Sequence, residues 1–237
     1  MKVPNFKKLI VFENDNYILI NKPPHISTLE DRDKTQTSIY EMAKKYWEEA
    51  QLCHRLDKET SGMLAIAKNP EAYRNLSMQF ENREVDKVYH AIVNGVQELD
   101  RILVDRNIAV SGRGNVRIDI EGKPAQTKFM TLEAFKFHTL VACKPVTGRM
   151  HQIRIHLAYL GAPIVADETY GGKMAYLSQI KRKFNLKKGT EEEPLIKRVA
   201  LHAYEITFKD IDGSEVNAIA DYPKDIRALL TQLRNNS

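Results

Sequence analysis

The sequence predicts an α+β fold with a mixed, mainly antiparallel sheet and flanking helices. Strand-like and helix-like segments alternate without the regular βαβα rhythm of a parallel sheet. From about 101 to 146, short strand-like runs and glycine turns follow one another, which indicates antiparallel strands. Near the end, the run at 198–223 alternates on both sides of Asp212 and Gly213, a pair typical of a type I′ hairpin.

The elements follow from local patterns in chain order. "NYILINKPP" (16–24) has strand-forming residues and stops at two prolines, and "TSIYEMAKKYWEEAQ" (37–51) has the apolar spacing of an amphipathic helix. "GMLAIAK" then reads as a buried strand, and "NPEAYRNLSMQFENR" reads as a helix opened by Asn69 and Pro70. "VDKVYHAIVNGV" (85–96) predicts a strand, and "TGRMHQIRIHLAYLGAP" (147–163) predicts a helix that Gly161 ends.

Length and charge suggest one domain with an unusual insertion. A chain of 237 residues is expected to form a single elaborated domain over 1–237. Its net charge of +5 resides in one segment, 173–198, where eight lysines and arginines face three glutamates (8 − 3 = +5). Such a basic insertion either neutralises phosphates of a nucleic acid or simply keeps a surface solvated, and charge alone favours neither.

The sequence predicts a cytoplasmic protein with neither cofactor nor metal. It contains no apolar run near the roughly 20 residues of a membrane span. It has no P-loop, and "SGRGNVR" lacks the third glycine of a dinucleotide loop. No Cys/His pairs have zinc spacing, and His151 and His156 are five residues apart and point in different directions. Cys53 and Cys143 are expected to be free thiols.

Two charged residues are candidates for chemistry. On the helix over 147–163, Arg154 has mostly apolar neighbours three and four residues away, so it should have a carboxylate or phosphate partner. "HRLDKETSG" (54–62) concentrates His54, Arg55 and Asp57 in four positions, although Asp, Thr and Ser before a glycine can also be turn residues. An Asp57–Arg154 pair in a cleft would suit an RNA- or phosphate-binding enzyme, and a structural ion pair is the alternative.

Several motifs together resemble the RluA-type pseudouridine synthases. "HRLDKETSG" is similar to the family signature His-Arg-Leu-Asp-x-x-Thr-Ser-Gly. Companion motifs follow in the family's order over about residues 9–230, and they are "NKPP" (21–24), "DKVYHAIVNG" (86–95), "TGRMHQIRIHLAYLGAPIVADETYGG" (147–172) and "ALHA" (200–203). The resemblance implies the pseudouridine synthase catalytic fold with a central RNA-binding cleft. Only about 20 residues precede Asn21, too few for the N-terminal RNA-binding domain that some members carry.

The resemblance also implies the reaction and the site. Such enzymes break the bond from uracil N1 to ribose C1′ in RNA and join C5 to C1′, with no cofactor. It assigns catalysis to Asp57, Tyr89 and Arg154, with Asp57 as nucleophile or as stabiliser of the positive charge at C1′. Tyr89 would stack on the base, and Arg154 would keep Asp57 in place and ionised. Five further residues are assigned to substrate binding or loop ordering: His54, Arg55, Arg149, Gln152 and Leu201.

The partner implied is ribosomal or transfer RNA, with no membrane and no obligatory protein partner, and a monomer is the simple default. Three alternatives stay open at this point. The first is an RNA-binding module of the same fold without turnover. The second is a hydrolytic glycosidase that uses Asp57 and Glu59 as its two carboxylates. The third is a metal-dependent nuclease built on His54, Asp57 and other histidines.

Overall fold

A computed structural model describes residues 4–30, 37–112, 114–186 and 189–237. The chain divides into two compact units, and each is made from two separate stretches. The first unit comprises residues 1–88 and 202–221, and the second comprises 89–201 and 222–237. Among the described residues, no helix is both long and apolar enough to cross a membrane.

The first unit contains strands on both sides of a buried central strand. Its strands are β1 (Ile10–Glu13), β2 (Tyr17–Lys22), β3 (Gln51–Leu52), β4 (Ser61–Ala67), β11 (Leu201–Lys209, of which Leu201 belongs to the second unit) and β12 (Glu215–Ile219). Neighbouring strands follow the order β1-β2-β4-β11. In addition, β12 pairs with β11, and β3 pairs with β4. All these pairs are antiparallel except β4 with β11, which is parallel.

Two helices of the first unit begin at capping residues, and Asn69 is the cap that the sequence predicted. Helix α1 (Ile39–Tyr46) starts at Ser38, which forms a capping box with Glu41, and α2 (Pro70–Asn82) starts at Asn69, whose side chain accepts a hydrogen bond from the Ala72 amide. α2 packs on β4, whose seven residues are all buried. This confirms "GMLAIAK" as a buried strand.

Within the described residues, the second unit contains antiparallel strands and three α-helices. Its strands are β5 (Asp86–Asn94, from Tyr89 onward), β6 (Ile102–Asp105), β9 (Gln126–Ala134) and β10 (His138–Pro145), with a separate hairpin of β7 (Ile108–Val110) and β8 (Val116–Ile118). The order is β5-β10-β9-β6, and every one of these pairs is antiparallel. The helices are α3 (Gln152–Tyr159), α4 (Leu177–Ile180) and α5 (Lys224–Asn235). The predicted α+β class with a mixed, mainly antiparallel sheet is therefore confirmed.

Three local predictions need correction. The helix expected over 37–51 ends at Tyr46, because Trp47 has an extended backbone, and Gln51 belongs to the short strand β3. The helix expected from residue 147 begins only at Gln152, because His151 before it has a left-handed φ of 53° that interrupts the helical backbone. The hairpin between β11 and β12 is not a type I′ turn. Gly213, with a φ of 83°, is the left-handed residue of a wider loop in which its amide donates to the Asp210 carbonyl, whereas a type I′ turn needs two such residues.

The basic insertion is more closely tied to the protein than its composition suggests. Ile180 and Ile196 belong to the hydrophobic core of the second unit. Arg198 is only 1% exposed and binds the Asp225 carboxylate through Nε at 2.7 Å and Nη2 at 3.0 Å. This residue is therefore a structural cation and does not belong to a basic surface. Within the described part of the insertion, the exposed cations are Lys173, Lys181, Arg182, Lys183 and Lys197. Lys187 and Lys188 lie outside the described residues.

Candidate active site

The loop that carries Asp57 is held by hydrogen bonds to its backbone. On the N-terminal side of Asp57, the Thr28 hydroxyl donates to the Leu56 carbonyl at 2.7 Å and accepts from the Leu56 amide at 3.1 Å. The Leu56 side chain is itself buried. The residue immediately before Asp57 is therefore fixed both by its peptide groups and by its side chain.

A buried lysine fixes the other side of Asp57. Lys22 is fully buried at the end of β2, and its ammonium donates to the carbonyls of Pro23, Ile26 and Lys58 at 3.0, 2.9 and 3.2 Å. The Lys58 carbonyl also accepts from the His25 amide at 2.8 Å. A buried ammonium needs such acceptors, since an unsolvated charge is costly. The "NKPP" element thus holds the loop through its lysine.

His54 orders the beginning of the loop. Its Nε2 accepts a hydrogen bond from the Ala65 amide at 2.9 Å, and its ring lies against Phe80 with centroids 4.7 Å apart. Burial, with a smaller contribution from the positive charge of Lys87, lowers the pKa of His54 to about 3. Because an acceptor nitrogen must be unprotonated, His54 is neutral at physiological pH, which supports the expectation that it orders the loop.

We expect this neutral histidine to make stability sensitive to acid. Its folded pKa lies below the ordinary 6.5, so the unfolded state binds more protons between pH 6.5 and 3, and stability falls as the pH drops through that window. From pH 7 to 5 the loss due to His54 should be about 1–2 kcal/mol. His54→Gln keeps an acceptor for the Ala65 amide and does not titrate. Between pH 7 and 5, its free energy of unfolding in urea should therefore fall by about 1–2 kcal/mol less than that of wild type. Equal losses in both proteins would contradict a neutral His54.

A glycine and a histidine anchor the C-terminal end of the loop. Gly62 has a φ of 114°, and a Cβ at this position would lie 2.1 Å from the Ala203 carbonyl oxygen, so only glycine lets β4 approach β11 here. The neighbouring Ser61 hydroxyl lies 2.9 Å from Nδ1 of the buried His202, whose Nε2 lies 3.0 Å from the Ala220 carbonyl. The carbonyl can only accept, so Nε2 carries the proton and Ser61 donates to Nδ1.

The loop exposes most of its charged side chains and buries its anchoring ones. Arg55, Lys58 and Glu59 are exposed, Asp57 is half-buried, and Leu56 and Thr60 point inward. The Thr60 amide donates to the Asp57 carbonyl at 3.1 Å, which closes a turn. A partly exposed carboxylate on a tightly held backbone can meet a ligand atom in a fixed geometry.

In the second unit, Arg154 has a carboxylate partner that the sequence did not predict. Its Nε and Nη2 donate to the two carboxylate oxygens of Asp167, each at 2.7 Å. Asp167 is 1% exposed and Arg154 9%. The sequence required an anion for this arginine but suggested Asp57. Asp57 lies in the first unit, and its pairing with Arg154 stays a prediction.

Two other predicted residues of the second unit contact or belong to its hydrophobic core. Tyr89 on β5 is half-buried against that core and pairs across the sheet with Cys143 on β10. Leu201 is buried in the core, and its carbonyl accepts from Arg198 Nη1 at 3.3 Å. Arg198 therefore also helps to hold the start of β11.

The two residues assigned to RNA contact from the helix differ in accessibility. Gln152 is 4% exposed, and its amide group bonds to the Thr147 and Thr127 hydroxyls, the Arg149 amide and the Gln126 carbonyl at 2.7–3.0 Å. This geometry favours a structural role for Gln152. Arg149 is half-buried, and its Nε donates to the Pro124 carbonyl at 3.1 Å.

Thiol chemistry finds little support in the environment of Cys53. Burial raises the pKa of the Cys53 thiol to about 11, so this residue is a thiol and not a thiolate at neutral pH. Across the part of the chain that the structure describes, no group of three or more histidine, cysteine, aspartate or glutamate side chains could hold a metal ion.

The sequence reasoning missed Thr28 and Asp167. Thr28 lies outside every motif that resembles the family, and its contact with Leu56 joins residues 28 positions apart. Asp167 had a usable signal, because it falls in the "ADETYGG" part of the 147–172 segment, which is similar to the family motif. A carboxylate inside a shared motif is a reasonable candidate partner for a buried arginine in the same motif.

Comparison with known proteins agrees with the sequence resemblance. A family model described as RNA pseudouridylate synthase matches residues 16–159. Ribosomal large subunit pseudouridine synthase C of Escherichia coli (strain K12) is 35% identical, over 99% of this chain and 72% of the relative. The protein of that name from Haemophilus influenzae (strain ATCC 51907 / DSM 11121 / KW20 / Rd) is also 35% identical, over 99% of this chain and 71% of the relative.

Solved structures share the fold. Human RNA Pseudouridylate Synthase Domain Containing 1 has a TM-score of 0.70 at 26% identity, covering 94% of this chain and 87% of that one. Human RNA Pseudouridylate Synthase Domain Containing 4 has a TM-score of 0.73 at 24% identity, covering 97% and 95%. The family match and the bacterial relatives lead to one conclusion: the chain belongs to the RNA pseudouridylate synthase family and is an isomerase.

Proposed function

We propose that the protein converts one or more uridines of large-subunit ribosomal RNA to pseudouridine. The observation that carries this proposal is the 35% identity, along 99% of the chain, to relatives named ribosomal large subunit pseudouridine synthase C. Transfer RNA is the other substrate class that the sequence left open. We further propose that the protein acts in the cytoplasm as a monomer, with RNA as its partner.

The reaction rearranges bonds without consuming a second substrate. The bond from uracil N1 to ribose C1′ breaks, the base turns, C5 bonds to C1′, and the proton lost from C5 is balanced by one gained at N1. Positive charge develops at C1′ when the first bond breaks, and a fixed carboxylate can stabilise or trap it. Asp57 is the carboxylate we assign, and the hydrogen bonds that hold Leu56 and Lys58 support a fixed position for it.

The roles of the other site residues are those that the family resemblance implies, and contacts with the RNA backbone are assigned only to side chains that are not fully buried. The target uridine has to leave its stack, since its reacting atoms cannot be reached inside a helix. Exposed Arg55, next but one to Asp57, is suited to hold a phosphate or fill the vacated space. Tyr89 stacks on the uracil and Leu201 packs against it. Arg154 orients Asp57, and Arg149 contacts the RNA backbone.

Mapping pseudouridines in ribosomal and transfer RNA tests the substrate. Cells that lack the protein should lose pseudouridine at one or a few large-subunit positions, and wild-type protein should restore them. The matched control is expression of the Asp57→Asn variant, which should restore none. A loss confined to transfer RNA would overturn the proposed substrate while leaving the isomerase activity intact.

A further inference from the structure

The segment after α3 is shaped to present one carboxylate. Ala166 has a left-handed φ of 62°, and the next residue, Asp167, donates from its amide to the Ile164 carbonyl at 3.1 Å. The Asp167 carbonyl accepts from the Tyr170 amide at 3.1 Å and the Gly172 amide at 2.8 Å. A Cβ at Gly172 would lie 1.9 Å from the Ile164 carbonyl oxygen, so this turn requires glycine. The strained, tightly bonded backbone fixes the position of Asp167.

The Asp167 carboxylate sets the plane of the Arg154 guanidinium. Two hydrogen bonds of 2.7 Å, from Nε and Nη2, form the planar fork that arginine makes with a carboxylate. Both groups are almost fully buried, so solvent competes little for these donors. A second carboxylate on the same arginine has to bind through Nη1 or the other hydrogen of Nη2, in the plane that Asp167 has set.

An aromatic ring holds the guanidinium from a second direction. The Arg154 Cζ lies 5.1 Å from the centre of the Tyr170 ring, within the range of a cation–π contact. The Tyr170 hydroxyl lies 2.9 Å from Nδ1 of His151, the residue before α3. Tyr170 also packs with the small hydrophobic cluster of Ile108, Ala125 and Ile155. The ring is thus fixed at both its hydroxyl and its apolar part.

We infer that Asp167 is a positioning residue of the pseudouridine reaction, acting through Arg154. The inference rests on the proposed function, in which Arg154 holds the catalytic Asp57. A lone arginine could rotate about its side-chain torsions, and a small misplacement of a reacting group can reduce a rate about 100-fold. Asp167 and Tyr170 remove that freedom before RNA binds. They give the "ADETYGG" stretch a role in catalysis.

A second buried arginine pair provides a matched control. Arg198 and Asp225 lie in the same unit and are joined by a similar two-point contact, and Arg198 also donates to the Val199 and Leu201 carbonyls. That arginine stabilises backbone. Asp225→Asn should therefore lower the melting temperature while leaving the rate of the chemical step within about threefold of wild type.

The test is a double-mutant cycle that compares single-turnover rates on an unmodified transcript of large-subunit ribosomal RNA. Asp167→Asn should lower the rate about 100-fold and leave the RNA dissociation constant within about threefold. Arg154→Lys removes the fork by itself. In that background, adding Asp167→Asn should lower the single-turnover rate by less than about threefold. Additive effects in the two backgrounds, or a folded Asp167→Asn protein with a rate near wild type, would overturn the inference.

A second variant covers the case in which Asp167→Asn does not fold. Tyr170→Leu keeps the ion pair and removes only the ring, and it should lower the rate about tenfold at unchanged RNA affinity. An unchanged rate would overturn the inference. Failure of the proposed function would differ from both results, because the wild-type protein would then form no pseudouridine in this RNA. Failure of the Asp57 assignment alone would leave the Asp57→Asn variant active.

Discussion

Asp57→Asn is expected to lower the rate of pseudouridine formation by at least about 10⁴-fold, the scale of losing a group that acts on the reacting atoms. Asparagine has nearly the same shape, and the contacts that fix the loop bind the backbone of Leu56 and Lys58, so the variant should fold normally. The RNA dissociation constant should stay within a few-fold of wild type, because phosphate contacts dominate affinity. Single-turnover conversion and a binding titration measure the two quantities.

Glu59→Gln is the matched control for this variant. Glu59 lies two residues away on the same loop and is exposed, and its replacement should leave the rate within about threefold. A glycosidase with two carboxylates would lose activity in both variants and would release free uracil instead of forming pseudouridine. An RNA-binding module without turnover would show no conversion even as wild type. Full activity of Asp57→Asn would remove the catalytic assignment.

Lys22→Met is expected to have the largest effect on stability. The change leaves the carbonyls of Pro23 and Ile26 without their ammonium donor, while the Lys58 carbonyl keeps the His25 amide. The Ile26 carbonyl is buried and the Pro23 carbonyl is part-buried. An unsatisfied buried carbonyl costs about 1–3 kcal/mol, so the free energy of unfolding should fall by about 1–4 kcal/mol in urea titrations. Loosening the residue after Asp57 should also lower the single-turnover rate about tenfold.

Lys68→Met separates the two effects of Lys22. Lys68 is also buried in the first unit, where its ammonium binds Glu13 Oε1 at 3.0 Å and the Asn14 carbonyl at 2.8 Å. Its loss should destabilise the protein while the rate stays within about threefold of wild type. If the two methionine variants were equally active under conditions where both are folded, the idea that Lys22 positions the Asp57 loop would be wrong.

Helix starts and buried strands could be predicted because their signals are local. Asn69 followed by Pro70 begins α2 as expected, and the apolar run before residue 68 forms a fully buried strand. Boundaries that depend on a single backbone conformation could not be predicted. The left-handed His151 shortens α3, and one left-handed residue instead of two changes the hairpin at Gly213. A side-chain pattern carries little information about such a conformation.

By itself, the sequence determined the fold class, the family, and that a buried arginine on the 147–163 segment needs an anion. Which anion binds which cation was decided only by the tertiary structure. Asp167 binds Arg154 across 13 positions, and Asp225 binds Arg198 across 27. Arg198, which the charge count placed in the basic insertion, is therefore a structural cation. Buried polar groups bind whichever partner folding brings within about 3 Å, and sequence spacing does not specify that distance.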